Sequence, residues 1–530
     1  MKNISLLVFS FLLISCSIFS QKLELTWGEL VKSNNHRFLG SNEQYFFAIE
    51  RLVSGTEFKV YDYDANLVSS KKIKKNLEGD RIYVSKVIRF NEKDFVIFES
   101  METAGDSFSY YYSEITGGIL GDDIIELCSI DYQTKKEVVL NGVGINVYSD
   151  SEGVRLSKDK RSLIILQKEG SIDPDKDNER FTLIKINEDL KISYQKELSF
   201  DCLDNKFSLL DVAFNQNDEP IILAKKWNED EYDFLIYTES EAGIKSNEFS
   251  LDGNNIPGSF NLSVSSNGNI FLAGFYSKLN LPKSKCDGTF FAKFDGGGAS
   301  LSQSINEFPK IFKDSLIINS EHNWGRRVIK KASDDSSKAG EDIETKKEDV
   351  EKVFPHFMSI RYASMNEELN EFKYVSEVIY SFTRTIRGSD GMITYVGYDV
   401  SGPAVVVNYN LNGELLWMES IDKNFVSSNS FRKSLIVQEH DSKLHMVFNG
   451  RISERDKEEL GLEKSGGLKV ENCTINALGV EEKRETIYVN NKKDKSIAFQ
   501  PVSSGISNSG YFILNFALSR NNRWATSKAW

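Results

Sequence analysis

The chain has 530 residues and 40% apolar content, so it can bury a sizeable core, and its aromatics stand at 12% against only 8 Pro. Its 65 basic and 78 acidic residues leave a net charge of −13. Such a surface repels phosphate backbones, and no basic stripe interleaved with aromatics offsets it, which argues against nucleic-acid binding. Length alone suggests several domains, but a repeat fold holds many units in one ring.

Residues 1–20 read as a secretory signal peptide. Lys2 supplies the positive start, and Ile4–Ile14 is an apolar run broken only by Ser5 and Ser10. That run is too short for a membrane-spanning helix and suits a cleaved leader. Ile18-Phe19-Ser20 before Gln21 fits simple cleavage. Leu13-Ile14-Ser15-Cys16 also fits a lipobox, so membrane attachment is expected only if Cys16 is lipidated. The mature chain then keeps Cys128, Cys202, Cys286 and Cys473. Four cysteines in an oxidising compartment allow two disulfides in three pairings. Cys128 and Cys473 sit in apolar strands, where a free buried thiol is the simpler state.

One pattern recurs after Gln21: a strand, a turn rich in Asn, Asp, Gly, Ser or Lys, then a strongly apolar strand. It reads FLGSNEQYFFAIE from Phe38, VIRFNEKDFVIFES from Val87, RLSKDKRSLIILQ from Arg155 and DVAFNQNDEPIILAKKW from Asp211. It continues as LSVSSNGNIFLAGFY from Leu262, TRTIRGSDGMITYVGY from Thr383, LIVQEHDSKLHMVFNG from Leu435 and VSSGISNSGYFILNF from Val502. The turn residues favour hairpin conformations and the flanks supply β-propensity. A second hairpin follows seven of these copies, as in FTLIKINEDLKISYQKEL from Phe181 and AVVVNYNLNGELLWMESI from Ala404.

Two hairpins make a four-stranded antiparallel sheet. The expected fold is all-β: a single β-propeller of eight blades, with seven as the neighbouring count. Separate β-sandwiches are the rival architecture. The last copy lacks its second hairpin, and LELTWGELVKS from Leu23 has strand character without a local partner. This segment is expected to complete the last blade and close the ring, which removes exposed edges. The propeller is thus expected over residues 21–305 and 375–530. The turns near Gly268 and Asp390 stand unusually far apart, so residues 306–374 are assigned to a charged insertion and linker. Its middle, KKASDDSSKAGEDIETKKEDVEKVF from Lys330, carries charge and few β-branched residues, as a surface excursion would.

Three pieces in order, GTFFAKFD from Gly288, SINEFPKIF from Ser304 and VVVNYNLNGELLWMESIDK from Val405, resemble a group of uncharacterised exported β-propeller-like repeat proteins of Bacteroidetes. The resemblance covers the second half of the chain best and is structural. It implies no activity, cofactor or site residue. The last residues read as a repeat strand rather than a sorting domain, which favours retention in the periplasm or at the outer membrane.

The sequence holds no G-x-x-x-x-G-K-[ST], H-E-x-x-H, G-x-S-x-G or C-x-x-C. Asp295-Gly296-Gly297-Gly298 follows a strand with no helix after it, so it reads as a hairpin turn rather than a phosphate cradle. His440 and His445 flank one turn without the third and fourth ligands that Zn²⁺ needs. Asp173, Asp175 and Asp177 alternate with Glu179, as Ca²⁺ ligands do, but Asn178 and Ile184 stand where an EF-hand needs Gly and Glu. They are weak metal candidates, and Ca²⁺ is the one cofactor they suggest. No catalytic residue is assigned.

The expected function is a non-catalytic binding or scaffold module of the cell envelope, monomeric, with a protein or a glycan as partner. A glycan-active hydrolase or lyase with carboxylates on the ring axis is the alternative. Deleting Lys330–Phe354 should leave the thermal unfolding midpoint nearly unchanged, since a charged excursion buries little. A large fall in that midpoint would show that the segment belongs to the core.

Overall fold

The computed structural model describes residues 23–528 except 33–35, 53–54, 78–79, 102–106, 132–153, 158–160, 170–172, 174, 229–230, 241–242, 254, 279–285, 314–315, 317–357, 388–392, 424, 428–433, 453–457, 459–467, 491–497 and 519–520. The stretch read as a signal peptide, Cys16 and the charged stretch from Lys330 lie outside the described residues.

Eight antiparallel sheets make up the fold, seven of them built from consecutive strands. Blade one covers His36–Lys74, blade two Asn76–Asp131, blade three Val154–Leu203 and blade four Phe207–Phe249. Blade five covers Asn255–Glu307, blade six Met358–Ser427 and blade seven Leu435–Val489. Blade eight joins the C-terminal strands to the N-terminal ones. Thr26 pairs with Thr526 and Trp27 with Ala525, so the segment from Leu23 supplies the outer strand and closes the ring. The chain is an eight-bladed β-propeller.

The blades are held by what lies between them. The apolar core divides into eight clusters, and each spans one junction. Blade five shows why. In its third strand, Phe290, Ala292 and Phe294 pack toward blade four, while Phe291 packs toward blade six. A strand apolar on both faces needs a neighbour on each side, at roughly 1.5–3 kcal/mol for each large side chain fully buried.

One turn chemistry repeats throughout. At Asp62, Asn187, Asn215, Ser265, Asp295, Asn410, Asn476 and Ser507, the backbone N–H donates to the carbonyl four residues on, and the carbonyl accepts from the N–H three residues on. Where the first residue is Asp or Asn, its side-chain oxygen also accepts from the N–H groups two and four residues on. The fourth residue takes positive φ, as at Gly413 (92°) and Gly479 (81°). This is the three-residue hairpin with a glycine-type bulge, which Asx side chains stabilise.

These turns also brace the next blade. A Cβ on Gly479 would stand 2.5 Å from the Trp417 ring of blade six, and Trp417 Nε1 donates to the Ala477 carbonyl at 3.0 Å. Blade five docks on blade four in the same way, with Asn247 Nδ2 donating to the Gly297 carbonyl at 2.6 Å.

Seven of the eight expected copies fall on the first hairpin of a blade. The copy from Thr383 does not. Thr383–Arg387 and Ile393–Tyr398 form the far end of blade six's second and third strands. The first hairpin of that blade is Met358–Asn366 with Glu371–Val378, inside the stretch assigned to the insertion. Its turn, Glu367-Glu368-Leu369-Asn370, carries no Gly, and Asn370 takes the positive φ instead (54°). The sequence therefore showed the wrong hairpin as the repeat, and the propeller resumes at Met358 rather than at residue 375.

Replacing Gly479 with Ala should cost about 1–2 kcal/mol, from left-handed strain and from displacing Trp417. Urea unfolding would show it as a lower midpoint, and an unchanged midpoint would contradict the bracing.

Candidate functional site

In an up-and-down blade, the turns joining strands one to two and three to four lie at one end of the ring. The connections from strand two to three and from blade to blade lie at the other. Here the described links at the first end are short. The second end carries 22 residues between Asp131 and Val154, 50 between Glu307 and Met358, and 16 between Arg451 and Leu468. Blade six also extends there, since its second and third strands stay paired from Ile379–Ser401 out to Arg387–Ile393. Long connections at one end of a rigid scaffold mark the end that is elaborated for contact.

Buried charge collects at this end. In blade six, Lys423 Nζ lies 2.5 Å from Glu377 Oε2, and both side chains are fully buried. Arg361 Nε donates to Glu377 Oε1 at 2.6 Å, and Ser401 Oγ donates to Glu377 Oε2 at 2.6 Å. Burial works against the Glu377 carboxylate, but Lys423 and Arg361 outweigh it and hold its pKa down at about 2. Ser401 also touches Lys423. A Ser–Lys contact can serve nucleophilic catalysis. Here Ser401 has 0% exposure, so no substrate reaches it and the network acts as internal structure.

At the seam of blades eight and one, Trp524 Nε1 donates to His36 Nδ1 at 3.1 Å, and His36 Nε2 meets Glu50 Oε2 at 3.3 Å. Accepting from the indole leaves the His36 proton on Nε2. Lys59 Nζ donates to the same Glu50 oxygen at 2.7 Å. Burial lowers the His36 pKa.

In blade three, Lys168 Nζ lies 2.5 Å from Glu179 Oε2 and 2.6 Å from Asp204 Oδ1. Two carboxylates share one ammonium, so one of them is poorly compensated. Burial pushes Glu179 up to about 8 against the pull of Lys168, with Asp204 adding to the rise.

Blade four presents a fourth group at this end. Lys225 and Trp227 close its second strand, and Tyr232 and Phe234 open its third. Lys225 pairs with Phe234 and Trp227 with Tyr232, so the alternation puts all four on one face.

The sequence candidates do not come together around a metal. The Asp173 carbonyl accepts from the Asp177 N–H at 2.8 Å, and Asp173 Oδ2 pairs with Lys176 at 2.7 Å. Asp175 Oδ1 accepts from Asn205 at 2.5 Å, and Asp177 Oδ2 accepts from the Asp173 N–H at 2.9 Å. Asp173 and Asp177 thus close their own loop, and Asp175 ties it to Asn205. His440 meets Asp441, and His445 meets Thr474. Among the described residues no group of three or more His, Cys, Asp or Glu is placed to hold an ion. Cys128, Cys202, Cys286 and Cys473 are free thiols in four different blades or their connections, so neither of the two allowed disulfides forms between them.

Sequence reading missed the buried ion groups, because their members lie far apart in the chain. It also passed over Lys225, Trp227 and Tyr232, although aromatic and basic residues flanking a short hairpin at the elaborated end were there to be read.

No family model matches the chain, and no curated protein does. Solved structures similar to it include polysaccharide lyase Uly1, at 10% identity and TM-score 0.37, covering 94% of this chain and 100% of that one. An oligogalacturonate lyase in complex with manganese stands at 9% identity and TM-score 0.36, covering 92% and 98%. Prolyl oligopeptidase B from Galerina marginata stands at 8% and 0.38, and this chain spans 55% of it. Likeness at this level transfers no chemistry.

Folded Glu179 keeps its proton to about pH 8, whereas an unfolded Glu loses it near 4.5. The folded state binds more protons across that window, so this contribution to stability falls as pH rises through it. Glu179→Gln should remove the decline. Urea unfolding of both proteins at the two ends of the window checks this, and a pH-independent difference between them would contradict it.

Proposed function

We propose that the chain is an exported propeller of the cell envelope that binds a protein or glycan partner without transforming it. One observation carries this reading: the three longest connections between described strands leave and re-enter at one end of the ring, while the described links at the other end are short. A ring needs only short links to close, so additional chain at one end serves contact with something outside the fold. The most buried ionic cluster at that end is locked internally, which supports binding rather than turnover. The apolar run at residues 4–14 supports export, and attachment to a membrane depends on acylation at Cys16.

Two measurements test the reading. Mass spectrometry of the mature N-terminus should show Gln21 or an acylated Cys16, and an intact Met1 in the native host would end the export proposal. The mature protein should also be retained by isolated native envelope fractions, and replacing residues 132–153 and 453–467 with short turns should reduce that retention. Undiminished retention after both replacements would remove the elaborated end from the function.

A further inference from the structure

The seam between blades four and five, at the elaborated end, holds a cation that no carboxylate among the described residues neutralises. Lys225 lies across two rings, its Nζ 5.4 Å from the Tyr232 centroid and 5.3 Å from that of Phe234. Phe234 is the buried floor, 6.0 Å from Phe260 of blade five. Tyr232 is 50% exposed at the mouth, and Trp227 stands against it at 4.6 Å with the rings 60° apart. The groups around Glu377, Glu50 and Glu179 each pair a cation with a carboxylate. Among the described residues Lys225 has no such partner. Burial alone acts on its ammonium and lowers its pKa. Holding an uncompensated charge half inside the protein costs stability, and an apolar side chain of equal length would cover the rings as well.

We propose that this crevice binds a saccharide unit bearing a single carboxylate, a uronic acid presented singly rather than as a dense polyanion. The inference rests on the binding function proposed above and gives it a ligand class. A pyranose has one flat face of C–H groups, which matches an exposed aromatic ring such as that of Tyr232. Trp227, set at an angle to it, bounds a second side. An extended acidic peptide has the charge but no such face. Lys225 supplies one charge-assisted contact to the carboxylate. The net charge of −13 opposes approach of a polyanion over long range. At physiological ionic strength charges are screened beyond roughly 8 Å, so a lone carboxylate responds only to charges close to the site, Lys225 among them.

The test uses the mature full-length protein with methyl β-D-glucuronide, methyl β-D-glucoside and triglutamate as probes. The readout is the Trp227 indole resonance, assigned with Trp227→Phe. The glucuronide should shift it saturably, and the glucoside should bind roughly tenfold more weakly, the scale of one charged hydrogen bond. Lys225→Met, which keeps the apolar stem, should erase that preference, and Tyr232→Ala should abolish the shift. No shift with the glucuronide overturns the proposal, as does equal binding of the glucoside. An equal shift with triglutamate overturns it in favour of an acidic peptide. The comparison among probes on the unmodified protein decides these outcomes even if a variant folds poorly. If envelope fractions retain the protein while the glucuronide gives no shift, this site fails and the broader binding function stands. If the glucuronide binds but the fractions do not retain the protein, the reverse holds.

Discussion

Every blade of this protein has two apolar faces, and no blade can bury both by itself. The structure answers that constraint with a closed ring, in which each of the eight junctions holds one apolar cluster. An open row would leave two blades with an uncovered face and unpaired strand edges. Closure depends on a pairing between opposite ends of the chain, Thr26 with Thr526 and Trp27 with Ala525. The same seam buries Trp524 against Phe46, at a centroid distance of 5.5 Å, and ties its indole to His36. Because those contacts join residues nearly 500 positions apart, the ring forms only once all the blades are in place.

The tight end of the ring follows from the same constraint at smaller scale. Each three-residue turn satisfies its own backbone through an Asx or Ser side chain, and those at Gly297 and Gly479 also rest on the preceding blade. Gly479 shows both demands at once: a left-handed φ and the Trp417 ring too close for a Cβ. With one end committed to turns that support neighbours, insertions are tolerated only at the other. The division of the ring into a structural end and a contact end is therefore a product of strand direction, since connections of one kind always emerge on one side. Lys225, Trp227 and Tyr232 belong to the contact end for that reason, and their aromatic and cationic surface stays open where the turns of the other end would have been covered.

Much of this fold was legible in the sequence. Five of the eight three-residue turns announce themselves by Asp, Asn or Ser followed three residues later by Gly, and the apolar strands beside them alternate or run continuously as buried strands do. Composition and spacing were enough for an all-β propeller of eight blades, and the unpartnered strand character near Trp27 was enough to expect closure. Blade six exposed the limit of that reasoning. Its first hairpin turns through Asn370 without a Gly, while a Gly-rich turn beyond Arg387 gave the stronger local signal. Local chemistry identifies a hairpin but not its place in a blade.

What the amino-acid order set alone was the kind of element and a unit count of eight with seven beside it, because these depend on neighbours along the chain. Only the tertiary structure decided which end of the ring is elaborated, that the four cysteines stand apart as thiols, and that Asp173 and Asp177 close a loop that Asp175 ties to Asn205. It also decided which charges find partners: Glu377 meets Lys423 across 46 positions, whereas Lys225 lies over two rings. Burial and pairing are properties of packed surfaces, and those surfaces exist only once the blades have met.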